Sequence, residues 1–203
     1  MAAPLPSLSL IARGLEPHGA DLFVGGTAAA RDVHLLREHG ISTVVNCAVN
    51  VDVNYVPAPV EDGGEGESGA VCRAGHAPFR VYKLGLVDGD NPAGMMLGGY
   101  CILNGALRQT MPEKESYPRQ VNGNVLVHCR EGRSRSVALA ALYLHLQDPV
   151  RFPELEGTIA AVRVKRGLPP EEWSEVPTRE IIDAAAEAAR AIRSLRDLGI
   201  LAT

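Results

Sequence analysis

The stretch from Val125 to Leu146 constrains the fold more than any other part of this sequence. A short apolar strand, predicted over Val125–His128, is followed after seven residues by a strongly helical run, Ser136–Leu146. The link between them, CREGRSR, is rich in Arg, Ser and Gly, which is typical of a tight turn. A strand that passes directly into a helix is a unit of an α/β layer. Backbone N–H groups freed by the turn can face one concavity, and the helix N-terminus adds its positive dipole end. The segment therefore predicts a binding site for a tetrahedral anion.

The side chains of this turn add chemistry to the predicted anion site. Cys129 is expected at its floor, where the helix dipole and nearby Arg side chains lower the pKa of the thiol and favour the nucleophilic thiolate. Arg135 offers a planar two-pronged donor to phosphate oxygens. Gly132 allows the tight turn, and the Ser136 hydroxyl can hydrogen-bond the sulfur. Arg135 is thus predicted to bind substrate, as are the other residues of the loop through their backbone amides: Arg130, Glu131, Gly132, Arg133 and Ser134.

The rest of the chain repeats the alternation of strands and helices. Strands are predicted over Ser7–Ala12, Asp21–Gly25, Ile41–Cys47 and Phe79–Leu84. Helices are predicted over Ala28–Glu38, Met95–Gln109 and Phe152–Arg166. A last helix, capped by Thr178 and running to about Leu198, is expected to place these apolar residues on one face: Ile182, Ala185, Ala189, Ile192 and Leu195. We therefore expect a single α/β domain over residues 1–203, with a central, mostly parallel sheet flanked by helices.

Composition limits the partners and the compartment. The net charge of −4 argues against a general affinity for nucleic acid or for acidic membranes. The sequence has no apolar run of about 18 residues, and its start lacks the basic and apolar regions of a signal peptide. Its cysteines, at positions 47, 72, 101 and 129, include no CxxC pair, so no structural zinc site is expected. We expect a monomer in the cytoplasm, or in the nucleus, with reduced thiols.

The motif of the turn resembles that of a known family. His128–Cys129–x–x–Gly132–x–x–Arg135–Ser136 matches the HCxxGxxRS signature of the cysteine-dependent dual-specificity protein phosphatases. Leu22–Gly26, Gly40–Ala48 and Leu126–Cys129 are also similar to the family. The resemblance covers about residues 8–166, the expected catalytic core, and leaves 167–203 as a helical extension packed on it.

The resemblance implies a protein-tyrosine-phosphatase-like fold and a two-step reaction. Cys129 is expected to attack the phosphorus of a phosphotyrosine, phosphoserine or phosphothreonine in a protein substrate, while Arg135 and the loop amides hold the oxygens. The resulting cysteinyl phosphate is then hydrolysed. Neither a metal nor another cofactor is implied.

The family also uses an aspartic acid as general acid, on a loop that follows a strand upstream of the cysteine. Only Asp88 and Asp90 occupy that context here. Asp88 is preferred, because it directly follows the apolar run Leu84–Val87. An ordinary turn role for Asp88, in an Asp-Gly pair, is the rival interpretation.

Two departures from the family leave the substrate open. An acidic, glycine-rich insertion occupies Glu61–Gly69, and Gly167–Ser174 replaces a common Pro-Asn-x-Gly-Phe stretch. The alternatives are a phosphoinositide, an RNA 5′ end, or a phosphate-binding module without catalysis. Rhodanese-like and arsenate-reducing enzymes also use a cysteine beside an anion loop, but Gly132 with Arg135–Ser136 points away from them.

Two further interpretations concern side chains near the motif. His128 is expected to orient Cys129 through hydrogen bonds rather than to act as a base. The other cysteines are expected to be passive, and a regulatory disulfide from Cys129 to one of them is the alternative.

Overall fold

The computed structural model describes residues 5–56, 75–116 and 121–201. The predicted insertion at Glu61–Gly69 and Cys72 lie outside these residues. The strands are β1 Leu8–Leu15, β2 Ala20–Gly25, β3 Ile41–Ala48, β4 Arg80–Leu86 and β5 Asn124–His128. The helices are α1 Thr27–Arg31, α2 Val33–Glu38, α3 Ala93–Leu107, α4 Arg135–Gln147, α5 Leu155–Arg166 and α6 Arg179–Asp197, with a 3₁₀ turn at Pro170–Glu172.

The described strands form one sheet in the order β1-β2-β5-β3-β4. β1 pairs with β2 antiparallel, and the β2–β5, β5–β3 and β3–β4 pairs are parallel. β5 is therefore the middle strand, with its carboxyl end between those of β2 and β3. The predicted fold class, a central and mostly parallel sheet flanked by helices, is confirmed.

Apolar layers cover both faces of the sheet, because successive side chains of a strand point to opposite sides. Val125 and Val127 of β5 pack in the larger core with residues of α3, α4, α5 and α6. Leu126, between them, packs in a smaller core with Ala30 of α1 and Leu36 of α2. A strand buried on both faces reads as a continuous apolar run, which is what Val125–Val127 shows.

The predicted helix over Ala28–Glu38 is wrong in one respect: the segment forms two short helices, α1 and α2. Asp32 separates them, since its carboxylate accepts a hydrogen bond of 2.9 Å from the amide of Leu35 and caps α2. An aspartate in this position competes with the helix for backbone donors and so ends one helix while starting the next.

The last helix packs against α3 and α4. Its buried residues are Ile181, Ala184, Ala185, Ala188, Ala189 and Ile192. Sequence periodicity predicted Ile182 and Leu195 on the inner face, but both are only partly buried, so that face is rotated slightly from the prediction. Thr178 precedes the helix as expected but makes no side-chain cap hydrogen bond. None of the helices in the described ranges is long and apolar enough to cross a membrane.

Candidate active site

The loop of residues 129–134 joins the carboxyl end of β5 to the first residue of α4. It lines a cleft of about 460 Å³ together with residues that follow β3 and β4 and with two residues from the segment before α6. The lining residues are Val49, Asn50, Val87, Asp88, Cys129, Arg130, Glu131, Arg133, Ser134, Arg135, Glu175 and Val176. The carboxyl ends of adjacent parallel strands are where open α/β sheets bind ligands, so this position suits a functional site.

Cys129 lies at the floor of the cleft and is only 2% exposed. Its Sγ is 3.3 Å from the Ser136 Oγ and accepts a hydrogen bond of 3.3 Å from the amide of Gly132. Burial opposes ionisation of the thiol, but the hydroxyl and amide of Ser136, the charge of Arg135 and the amide of Arg133 outweigh it and lower the pKa of Cys129. Hydrogen-bond donors that converge on one sulfur stabilise the thiolate form of Cys129.

Gly132 makes the turn possible. Its φ of +71° lies in the left-handed region, and a Cβ there would come within 2.4 Å of the carbonyl oxygen of Gly25. Any other residue at this position would be strained and would push the 129–134 loop away from β2. The predicted need for glycine at this position thus has a physical cause in the close approach of β2.

Arg135 is 5% exposed and lines the cleft. Its Nη1 donates to the Leu86 carbonyl at 3.2 Å and to the Asn50 Oδ1 at 3.5 Å. Its Nε is buried and has no hydrogen-bond partner among the residues that the structure describes. A buried donor without a partner is costly, so a bound anion would satisfy it.

The structure distinguishes the two candidates for the general acid, Asp88 and Asp90, by their position relative to the cleft. Asp88 lines the cleft, whereas Asp90 is not among the lining residues. Asn91 fixes the loop between them: its Oδ1 accepts from the Val87 amide at 2.9 Å, and its Nδ2 donates to the carbonyls of Val87 and Gly89 at 3.0 and 2.9 Å. This arrangement favours Asp88 as the acid.

Three charged residues of the 129–134 loop, Arg130, Glu131 and Arg133, also line the cleft. Arg130 is exposed, and its carbonyl accepts hydrogen bonds of 2.9 Å from the amide and the hydroxyl of Thr27. Arg133 forms an ion pair with Glu131 at 3.5 Å and a second one with Glu172. The Arg133 guanidinium is therefore already neutralised from two sides.

Sequence reasoning missed two arginines of α5. Arg166, 1% exposed, donates to the carbonyls of Gly132 at 2.9 Å and Glu131 at 3.4 Å and so fixes the 129–134 loop from behind. Arg163, 8% exposed, donates to the carbonyls of Val176 at 2.9 Å and Trp173 at 2.8 Å. A signal did exist, since both arginines continue the apolar stripe of the helix, where a charge must find a buried partner.

His128 is almost completely buried, with its Nδ1 3.2 Å from the carbonyl oxygen of Cys129. Burial lowers the pKa of this imidazole to about 4, so it is neutral at physiological pH. This contact agrees with the predicted orienting role.

The other described cysteines are free thiols. Cys47 is buried in β3, and its pKa is raised well above the ordinary value by burial and by the charge of Cys129. Cys101 lies in α3 and is partly exposed. Within residues 5–56, 75–116 and 121–201, no group of three or more His, Cys, Asp or Glu side chains is arranged to hold a metal ion.

Similarity to known proteins extends beyond the motif, although no protein-family profile matches the chain. Dual specificity protein phosphatase 14 of the mouse (Mus musculus) is 26% identical over 137 residues, which are 64% of this chain and 51% of that protein. The chain thus spans about half the length of this relative.

Several solved structures share the fold. A mouse putative dual specificity phosphatase complexed with zinc tungstate has a TM-score of 0.60 and 21% identity, over 99% of this chain and 95% of that one. Human DUSP28 has a TM-score of 0.59 and 18% identity, over 95% and 99%. PTPMT1 in complex with PI(5)P has a TM-score of 0.54 and 16% identity, over 94% and 99%. The resemblance found in the sequence is thereby confirmed: this chain is similar in sequence to the dual-specificity phosphatases and has the fold of their solved structures.

Proposed function

We propose that the protein is a cysteine-dependent phosphatase that hydrolyses phosphomonoesters in proteins, with dual specificity for phosphotyrosine and phosphoserine or phosphothreonine. One observation carries the proposal. The Cys129 thiol lies at the floor of the cleft with its pKa lowered by Ser136 and by the loop amides, and Arg135 lines the same cleft. A phosphate-sized anion above Cys129 would meet the nucleophile, the guanidinium and the amides together.

In the first step the Cys129 thiolate attacks phosphorus, and an S–P bond forms while the ester P–O bond breaks. Asp88 donates its proton to the leaving oxygen, which departs as an alcohol or a phenol. The amides of residues 130–134 and the Arg135 guanidinium hold the three equatorial oxygens, where negative charge accumulates. The positive potential comes from the protein itself, so the proposed step involves no metal or cofactor.

In the second step a water molecule attacks the cysteinyl phosphate. Asp88, now a carboxylate, accepts a proton from this water, and inorganic phosphate leaves. The electrons of the broken S–P bond return to sulfur, and the Ser136 hydroxyl, 3.3 Å from the Sγ, stabilises the thiolate that re-forms. One ester and one water are converted to one alcohol and one phosphate, so the enzyme is regenerated unchanged.

The main alternative is the same chemistry on a phosphoinositide or an RNA 5′ end. The shared fold of PTPMT1, solved with PI(5)P, keeps the lipid substrate open. A binding module without catalysis is disfavoured because Cys129, Arg135, Ser136 and a cleft-lining Asp88 are all present. A cytoplasmic or nuclear location and a monomeric state remain predictions from the sequence.

The test is hydrolysis of a small aryl phosphate under reducing conditions with a metal chelator. The wild type and Cys129→Ser are compared, and Cys101→Ser, which replaces a thiol outside the cleft, is the matched control. We expect turnover by the wild type and by the control, and none by Cys129→Ser, which should still bind inorganic phosphate. Turnover by Cys129→Ser would overturn the nucleophile assignment, and phosphate binding without turnover by the wild type would favour the binding module.

A further inference from the structure

The segment between α5 and α6 forms one wall of the cleft, in the part of the chain where the sequence departs from the resembled family. Glu175 and Val176 line the cleft together with Cys129 and Asp88. The segment therefore lies where the part of a substrate next to its phosphate must pass.

This wall is held in place by side chains of α5 and of the 129–134 loop. Arg163 binds the carbonyls of Trp173 and Val176, one on each side of Glu175. The indole N–H of Trp173 donates to the Leu168 carbonyl at 3.1 Å, and the guanidinium of Arg163 lies 5.6 Å from the centre of the Trp173 ring. Glu172 of the same segment pairs with Arg133. The backbone of Glu175 is thus fixed relative to the phosphate site.

The carboxylates in and beside the cleft differ in whether they already have an ion-pair partner. Glu131 and Glu172 are both paired with Arg133, and Asp88 is assigned to proton transfer. Glu175 is exposed and makes no ion pair or side-chain hydrogen bond with any residue that the structure describes. Of the cleft carboxylates in the described part of the chain, Glu175 is therefore the one that is free to interact with a substrate.

The same charges disfavour a polyanionic substrate. The side chains that line the cleft include three basic ones, Arg130, Arg133 and Arg135, and three acidic ones, Asp88, Glu131 and Glu175. After Arg135 has bound the reacting phosphate, a second phosphate would meet an Arg133 that two carboxylates already neutralise. Among the lining residues that the structure describes, Arg130 alone remains as an exposed cation.

We propose that Glu175 is a specificity-determining residue that favours phosphopeptides with a Lys or Arg side chain beside the phosphorylated residue. The inference rests on the proposed phosphatase function and adds the class of substrate to it. A Lys or Arg next to the phosphoresidue would pair with Glu175, whereas an Asp or Glu there, or a second phosphate of an inositol ring, would be repelled.

The test compares phosphotyrosine peptides that differ only in whether the flanking residues are Lys or Glu, exchanged on one side of the phosphotyrosine at a time. The ratio of kcat/KM for the Lys peptide to that for the Glu peptide is measured for the wild type, Glu175→Gln and Glu175→Lys. Glu171→Gln, an exposed residue of the same segment that does not line the cleft, is the matched control. A short-chain phosphoinositide is assayed beside the peptides.

We expect the wild type to prefer the Lys peptide by about two- to fivefold, the range of an exposed ion pair, and to lose that preference at 1 M salt. Glu175→Gln should bring the ratio close to one, Glu175→Lys should invert it, and Glu171→Gln should leave it as in the wild type. Because the result is a ratio within each variant, a general loss of activity does not affect it.

The outcomes separate the two proposals. A wild type that hydrolyses no aryl phosphate and no peptide contradicts the proposed function itself. A wild type that turns over aryl phosphate but shows no peptide preference, or one that Glu171→Gln changes as much as Glu175→Gln, overturns the role of Glu175. A phosphoinositide hydrolysed with a higher kcat/KM than every peptide would also overturn it.

Discussion

Ionisation of a single thiol, that of Cys129, decides whether the proposed nucleophile exists at neutral pH. Burial alone would raise the pKa of this thiol. The hydroxyl and amide of Ser136 and the charge of Arg135 outweigh burial and lower the pKa. The rate of alkylation by iodoacetamide should therefore rise with pH around a midpoint below that of a free cysteine. Ser136→Ala removes a hydrogen bond that only the thiolate fully uses, so its midpoint should be higher than that of the wild type.

Peptide mapping after alkylation measures this midpoint at each cysteine separately. Ser134→Ala is the control, since the Ser134 hydroxyl makes no hydrogen bond to the sulfur in the described structure. Cys47 should stay unlabelled at neutral pH, because burial and the neighbouring charge raise its pKa. Equal midpoints for the wild type and Ser136→Ala would refute the role given to that hydroxyl.

A second prediction at the scale of one residue concerns Asp88, which we propose gives a proton to the leaving group. Asp88→Asn should slow the hydrolysis of aryl phosphates with poor leaving groups far more than of those with good ones, because only a poor leaving group needs the proton. Asp90→Asn, from the same loop but outside the cleft, is the matched control. The slope of log kcat against the pKa of the leaving phenol measures the effect. If Asp90→Asn steepens that slope and Asp88→Asn does not, the acid is Asp90.

The residues of the site could be predicted from the sequence where they are contiguous with the motif. Cys129, Arg135 and Ser136 lie on one strand–turn–helix unit, so their spacing in the sequence is enough to predict that they lie close together. Arg166 supports the same loop although it lies 34 residues beyond Gly132 in the sequence. No local pattern contains that contact, because it depends on how α5 packs.

At the scale of the element, α5 holds two parts of the site with two arginines one turn apart. Arg166 binds the carbonyls of the 129–134 loop, and Arg163 binds those of Trp173 and Val176. Arg166→Gln should weaken the binding of inorganic phosphate, whereas Arg163→Gln should mainly reduce the preference for Lys-flanked peptides. Each loses hydrogen bonds from a charged donor, so each should lower the free energy of unfolding by about 1.5–3 kcal/mol.

Calorimetric phosphate binding and the peptide ratio, measured on both variants, separate these effects. Lys is the conservative replacement at each position, and Arg166→Lys should recover part of the phosphate affinity because it keeps a buried cation. If both Gln variants change both readouts equally, α5 acts only as a general support and not as two separate anchors.

Helices and strands were predictable from the sequence where the spacing of apolar residues follows a single period. They were less predictable where a polar side chain interrupts that spacing. β5 and α4 were predicted well, because their apolar residues are buried on all sides. The helix predicted over Ala28–Glu38 is interrupted because Asp32 takes a cap position that apolar spacing does not reveal. For α6, the sequence pattern predicted Ile182 on the buried face, whereas the neighbouring Ile181 is the residue that is buried. The many alanines of this helix fit more than one orientation, so the pattern does not distinguish the two.

At the scale of the whole molecule, the predicted C-terminal extension packs on the helices that support the site. α6 buries an apolar stripe against α3 and α4, and α4 begins at Arg135 in the cleft. A helix of this kind gains its stability from packing rather than from its own propensity. The extension is therefore expected to unfold together with the predicted catalytic core of residues 8–166.

Equilibrium unfolding in urea tests this expectation, because Trp173, the one tryptophan of the sequence, lies between α5 and α6. Fluorescence of Trp173 and far-ultraviolet circular dichroism should report the same single transition. Ile192→Ala removes a fully buried side chain of α6 and should lower the free energy of unfolding by about 2–5 kcal/mol in both signals. Leu198→Ala, at a position that is 72% exposed, should change it by less than about 0.5 kcal/mol. A helical signal lost before the fluorescence changes would mean that α6 unfolds alone, and then Ile192→Ala would leave phosphate binding intact.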